Sequence, residues 1–138
     1  MDFTLSKYQQ LLVALQQQGY QFITFEQYCD KVVKGEVLPA QYIIMRHDVE
    51  AVPENSLVFA QIEHELGIRA SYYFRVVPAS NQPEYIQQLA ALAHEKGYHY
   101  EDMAICQGGV EQANARFQPQ SQHFRRFYPV RTICMHGA

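Results

Sequence analysis

Residues 41–50 read QYIIMRHDVE. The short apolar run Tyr42 to Met45 breaks abruptly into Arg46, His47, Asp48, Val49 and Glu50, a stretch dominated by side chains that can carry charge. An apolar run without polar alternation suits a strand of a parallel sheet covered on both faces. In such sheets the loops leaving the carboxyl ends of the strands share one side of the molecule, and functional groups collect there. The stretch therefore predicts a buried strand that ends at a site.

The flanking sequence supports an α/β reading. From Gln41 onward short apolar runs alternate with helical patterns in steps of roughly thirty residues, the size of a βαβ unit. "YIIM" is the first predicted strand, and Pro53 to Leu66 a helix closed at Gly67. "ASYYFRVV" (70–77) is the second strand, and Pro83 to Lys96 a helix ending at Gly97. "YHY" (98–100) is a short third strand, 107–127 mostly helix despite Pro119, and "RTICM" (131–135) a fourth strand. Ahead of them Leu5 to Gln18 carries Tyr8, Leu11, Leu12 and Leu15 at helical spacing and stops at Gly19. Thr24 is placed to cap a second helix that carries Tyr28, Val32 and Val33 and exits at Gly35. The expected organisation is one domain over 1–138, with a helical preface over 1–38 and the parallel α/β part over 39–138.

The totals exclude several classes. The chain has 138 residues, 48% of them hydrophobic and 18% charged, which is the composition of a folded domain. A formal charge of -3, from 14 acids against 11 bases, argues against a nucleic-acid partner. The basic pair Arg125 and Arg126 reads as a solvated helix face. No apolar segment approaches the ~20 residues of a membrane span, and the start MDFTLSKYQQ lacks the pattern of a secretory signal, so no membrane association and a cytoplasmic location are expected. Cys29, Cys106 and Cys134 form no C-x-x-C and read as reduced packing thiols.

Residues at and beyond the predicted strand ends are His47, Asp48 and Glu50, then Arg75, then His99, Glu101 and Asp102, and finally His136. Carboxylate oxygen and imidazole nitrogen both suit zinc, manganese or iron at ~2.0–2.2 Å, so this set is a candidate divalent-metal centre. Asp48 and Glu50, two apart, face the same side if the strand geometry persists. One then binds the metal while the other serves as base. His47 reads either as a packing residue or as support behind the ligands, and His64, His94 and His123 as helix-surface residues. Glu101 and Asp102 are alternatively caps of the next segment, and Arg75 a partner of one of the acids. Tyr72, Tyr73, Tyr98 and Tyr100 either stack on a ligand or pack.

The segments IIMRHDVE, PENSLVFAQIEHELGIRASYYFR, ALAHEKGYHYEDM and YPVRTICMHG resemble, in order and spacing, the polysaccharide deacetylase-like superfamily, in particular its bacterial branch with an R-H-D-V-D opening. The likeness runs from about Tyr42 to Gly137. It implies that 39–138 is part of a distorted (β/α) barrel that removes an acetyl group from an N-acetylated carbohydrate with a divalent metal, zinc in the first instance. On that pattern Asp48 is the catalytic base, Glu50 and His99 are metal ligands, and Met103 stands four after His99 where the family has its second histidine. A metal would complete its shell with His136, Glu101 or Asp102; His136 is assigned to the metal, and Arg75, Glu101 and Asp102 to the substrate. The family's barrel continues through further strands, so the expectation is a truncated family member, either homodimeric or a fragment of a longer product. The alternative function is a catalytically inactive ligand-binding or interaction module.

Overall fold

The structure, a computed structural model, describes residues 3–137. Helix α1 (Leu5–Gln17) opens where the Thr4 hydroxyl accepts from the Lys7 N–H at 3.2 Å. Strand β1 (Gln21–Ile23) leads into α2 (Phe25–Lys34), whose start is a reciprocal capping box between Thr24 and Gln27 and whose exit is Gly35 at φ 67°. Only glycine takes that left-handed conformation without strain. Then follow β2 (Tyr42–Ile44), β3 (Arg46–Val49), α3 (Pro53–Glu65), β4 (Ser71–Phe74), α4 (Pro83–Ala91), β5 (Glu95–Tyr100), α5 (Asp102–Ile105), α6 (Val110–Phe124) and β6 (Ile133–Met135). No helix among the described residues is long and apolar enough to cross a membrane.

Strands β3, β4, β5 and β6 pair in that order, all parallel, into a curled sheet that makes half a barrel. Consecutive strands lie side by side, each joined to the next through helix, as parallel pairing requires. One face of the sheet packs on the helices. Val49, Tyr72, Phe74 and Tyr98 are buried there with Ala60 of α3, Ile86 and Leu89 of α4 and Phe124 of α6. Burying a side chain such as Phe74 stabilises the fold by roughly 1.5–3 kcal/mol.

Three expectations need correction. The first strand is not YIIM alone: the backbone breaks at Met45, β2 pairs with β1, and the charged RHDV stretch is itself the first strand of the four-stranded sheet. His47 and Asp48 therefore lie within a strand, and Glu50 is the residue beyond it. The 1–38 segment is not purely helical, because β1 pairs in parallel with β2 through Phe22 and Ile43. Finally, the helix from Pro83 stops at Ala91, and Glu95 to Gly97 belong to β5. The polar run His94-Glu95-Lys96 reads as an exposed helix exit, yet all three side chains are buried and hydrogen-bonded. His94 accepts from the Ala70 N–H at 3.1 Å and bonds the Ala60 carbonyl at 2.9 Å; it is a core residue, not a surface one.

Glu95 shows how the N-terminal segment closes the lower end of the half-barrel. Its carboxylate accepts from the Ser71 hydroxyl at 2.5 Å, from the Thr132 hydroxyl, and from the Glu26 N–H in the first turn of α2 at 3.1 Å. An acid at a helix N-terminus meets unpaired N–H groups and the favourable end of the helix dipole. Next to it the Phe25 N–H donates to the Ser71 hydroxyl at 3.0 Å.

Candidate metal centre

Strand register determines which side chains share the open face. Val49 stands beside Phe74, Phe74 beside Tyr98, and Tyr98 beside Ile133. One residue further along each strand, Glu50, Arg75, His99 and Cys134 form a row, because side chains alternate between faces with period two. Glu101 and His136 form the row above it; Asp48, Tyr73, Gly97 and Thr132 form the row below. The lower row is filled: a Cβ at Gly97 would come within 2.3 Å of the Tyr73 ring, so the tyrosine lies across the glycine and floors the site. The Tyr73 hydroxyl is tied to Thr132 at 2.9 Å.

Above that floor Glu50, His99 and His136 each bring one ligand atom into a group whose members lie within 4.8 Å of one another. His99 is almost fully buried, at 2% exposure. Its Nδ1–H donates to the Cys134 carbonyl at 3.2 Å, which leaves Nε2 to face Glu50 at 3.5 Å and Asp48 at 3.8 Å. A ring nitrogen oriented through its other nitrogen by a backbone carbonyl is the usual arrangement of a metal-ligating histidine. His136 follows β6, held by its N–H on the Tyr100 carbonyl at 2.8 Å, and its Nε2 lies 3.3 Å from the Glu50 carboxylate. One Asp48 oxygen accepts from Arg46 at 2.8 Å while the other is buried without a hydrogen-bond partner. Two imidazoles and a carboxylate, with a second carboxylate beside them, fit a borderline divalent ion such as zinc.

Arg75 organises the acids. It donates to Glu50 at 2.9 Å and to Glu101 at 2.8 Å. Its backbone is fixed in turn, because the Arg75 N–H donates to the Ser80 hydroxyl at 3.0 Å and that hydroxyl donates to the Val49 carbonyl at 2.5 Å. Burial would raise the Glu50 carboxyl, but the Arg75 hydrogen bond and the charge of His136 and Arg75 hold it below the usual carboxylate range. Burial likewise works against the Arg75 charge, and Glu101 and Glu50 more than restore it. At Cys134 burial pushes the thiol up; Arg46 pulls it down and Asp48 pushes it further up.

Of the residues singled out in the sequence, Asp48, Glu50, Arg75, His99, Glu101 and His136 come together. Asp102 does not: it starts α5, buried, accepting from the Tyr98 hydroxyl at 2.8 Å and lying 3.4 Å from Arg116, on the helix side of the sheet. Contrary to the expectation, Asp102 therefore does not face the side on which a substrate would lie. His47 faces away as well, stacked on Tyr72 at 4.5 Å and bonded to Glu63 at 2.5 Å. Tyr72, Tyr73 and Tyr98 are buried, whereas Tyr100 lines a cleft of about 280 Å³ with Glu101, Met103, Ala104, Met135 and His136. Cys134, taken as a packing thiol, belongs to the open face. The signal was present in the sequence, since Thr132, Cys134 and His136 are spaced two apart through the last predicted strand and the residue beyond it.

Comparison with family models, curated proteins and solved structures yields no match. The family likeness rests on the four sequence segments alone.

Proposed function

We propose that the protein is a metal-dependent hydrolase acting on the N-acetyl amide of a carbohydrate, built on part of a (β/α) barrel. The observation that carries the reading is the convergence of Glu50, His99 and His136 at the strand ends with Asp48 beside them. A divalent ion, zinc in the first instance, would be held by those three side chains and would supply Lewis acidity and a lowered pKa for water at the site. Asp48, whose Oδ2 faces His99 at 3.8 Å and is held by Arg46, takes the proton of the attacking water. Arg75 keeps Glu50 in place as a ligand, and its fork also holds Glu101 at the rim, where the Glu101 carboxylate and the Tyr100 ring border the cleft that receives the sugar.

The test is acetate release from N-acetylated oligosaccharides by the zinc-reconstituted chain, alongside Asp48→Asn. Turnover that disappears in Asp48→Asn while zinc binding persists supports the proposal. Zinc binding without acetate release from any such substrate, in Cys134→Ser as in the wild-type chain, overturns the hydrolase reading in favour of a ligand-binding module.

A further inference from the structure

A second group of donors lies one step deeper on the same face. Asp48, His99 and Cys134 each offer a ligand atom within 4.8 Å of the others. The backbone explains why. His99 pairs directly with Cys134 across β5 and β6, while Asp48 sits one row lower on β3, beyond β4. The space between thiol and carboxylate already attracts positive charge, because the Arg46 guanidinium bridges them, donating to Cys134 Sγ at 3.2 Å and to Asp48 Oδ2 at 2.8 Å. Arg46 holds this position with its side chain 55% exposed, so it can turn into solvent without leaving a buried hole. The other Asp48 oxygen is buried and has no partner.

We propose that Asp48, His99 and Cys134 form an alternative seat for a thiophilic divalent ion such as zinc or cadmium, with Arg46 as the displaceable cation that occupies the position otherwise. The proposal rests on the preceding reading in so far as His99 is a ligand in both seats. Both use His99 Nε2, because Nδ1 is committed to the Cys134 carbonyl, so the seats exclude each other and the chain takes a single ion. A thiolate ligand selects soft and borderline ions, whereas the Glu50 and His136 seat accepts harder ones such as manganese. Binding in the deeper seat releases the thiol proton to solvent and leaves a thiolate and a carboxylate to balance the dipositive ion. It also engages Asp48, the proposed base, so an ion held there blocks the hydrolysis that an ion at Glu50 and His136 would support.

Cadmium titration of the full chain tests this, followed both by calorimetry and by the ultraviolet sulfur-to-cadmium charge-transfer band, in wild type, Cys134→Ser, Arg46→Gln and a Cys29→Ser/Cys106→Ser background. The expected result is calorimetric binding with a charge-transfer band that survives in the background variant and vanishes in Cys134→Ser, together with severalfold tighter binding in Arg46→Gln. Calorimetric binding without that band, or a band that persists in Cys134→Ser, overturns the deeper seat and leaves the Glu50, His99 and His136 centre standing. Absence of any binding overturns both.

Discussion

Glu63 offers a demanding test of how the half-barrel is held together. This carboxylate is fully buried in α3 and accepts from Tyr8 of α1 at 2.5 Å and from Tyr72 of β4 at 2.7 Å, and bonds His47 of β3 at 2.5 Å. Glu63→Ala strands the Tyr8 and Tyr72 hydroxyls in the interior, at roughly 1–3 kcal/mol for each unsatisfied donor. The His47 ring, 20% exposed, recovers water and adds less. The expected loss is therefore about 3–5 kcal/mol, as for breaking a buried ion pair, and a large share of a stability that for a domain lies at about 5–15 kcal/mol. Burial would raise the Glu63 carboxyl, but the bond and charge of His47 and the two tyrosines hold it below its ordinary value of 4.5. A depressed carboxylate stabilises the fold above the unfolded pKa, and that contribution is lost as pH falls through the folded pKa. Urea unfolding followed by circular dichroism at pH 7 gives the first quantity, and its pH series below 5 the second. Adding Tyr72→Phe to Glu63→Ala removes one orphaned hydroxyl and is expected to restore about 1–2 kcal/mol. A loss below about 1 kcal/mol, or strict additivity in the double variant, would refute the reasoning.

Lys96 is buried beneath the Tyr128 ring at 4.5 Å, and burial, with Arg69 nearby, pushes it down to about 7 against the opposing pull of Glu26 and Glu95. The unfolded lysine holds its proton to about pH 10.4, so stability is lowest below pH 7 and rises between there and about pH 10; Lys96→Met is expected to remove that rise in thermal melts across the range. Gly97→Ala brings a Cβ within 2.5 Å of Tyr73 Cδ1 and 2.8 Å of the Thr132 carbonyl, and overpacking of that kind costs about 1–3 kcal/mol or more; an unchanged melting temperature would mean the strand register is wrong. Strand β6 ends the sheet, with Ile133 and Met135 44% and 63% exposed beside its unpaired edge, so the protein is expected to form a homodimer. Light scattering should show that Met135→Lys shifts it to monomer, and a monodisperse wild-type monomer would rule the edge out.

The alternation of helix and apolar run made the parallel α/β class legible, because strands buried on both faces leave an unbroken apolar signature. Thr24, Gly35, Pro53 and Gly67 marked helix ends for local reasons that survive folding. The start of β5 was hidden, because the Glu95 carboxylate is satisfied by partners distant in sequence, Ser71 and Thr132 among them, and Lys96 lies under the distant Tyr128 ring while its amine bonds the His94 carbonyl. Strand β1 was too short to show any period. At the site, Glu50, His99 and His136 could be singled out by type and by their place after strands, yet their meeting depends on register, which no local pattern carries. Asp102 illustrates the converse: its type and position suited a ligand-facing acid, but α5 begins at that residue and sends the side chain to Tyr98 and Arg116.

The most direct test is the zinc content of the reconstituted and dialysed chain by elemental analysis, for wild type, His99→Ala and the Glu50→Gln/His136→Ala pair, the last assayed with Cys134→Ser so that the deeper seat cannot substitute. The account predicts about one ion per chain in wild type and none in His99→Ala or the combined variant. Zinc retained undiminished in His99→Ala, or absent from the wild-type chain after reconstitution, would contradict it.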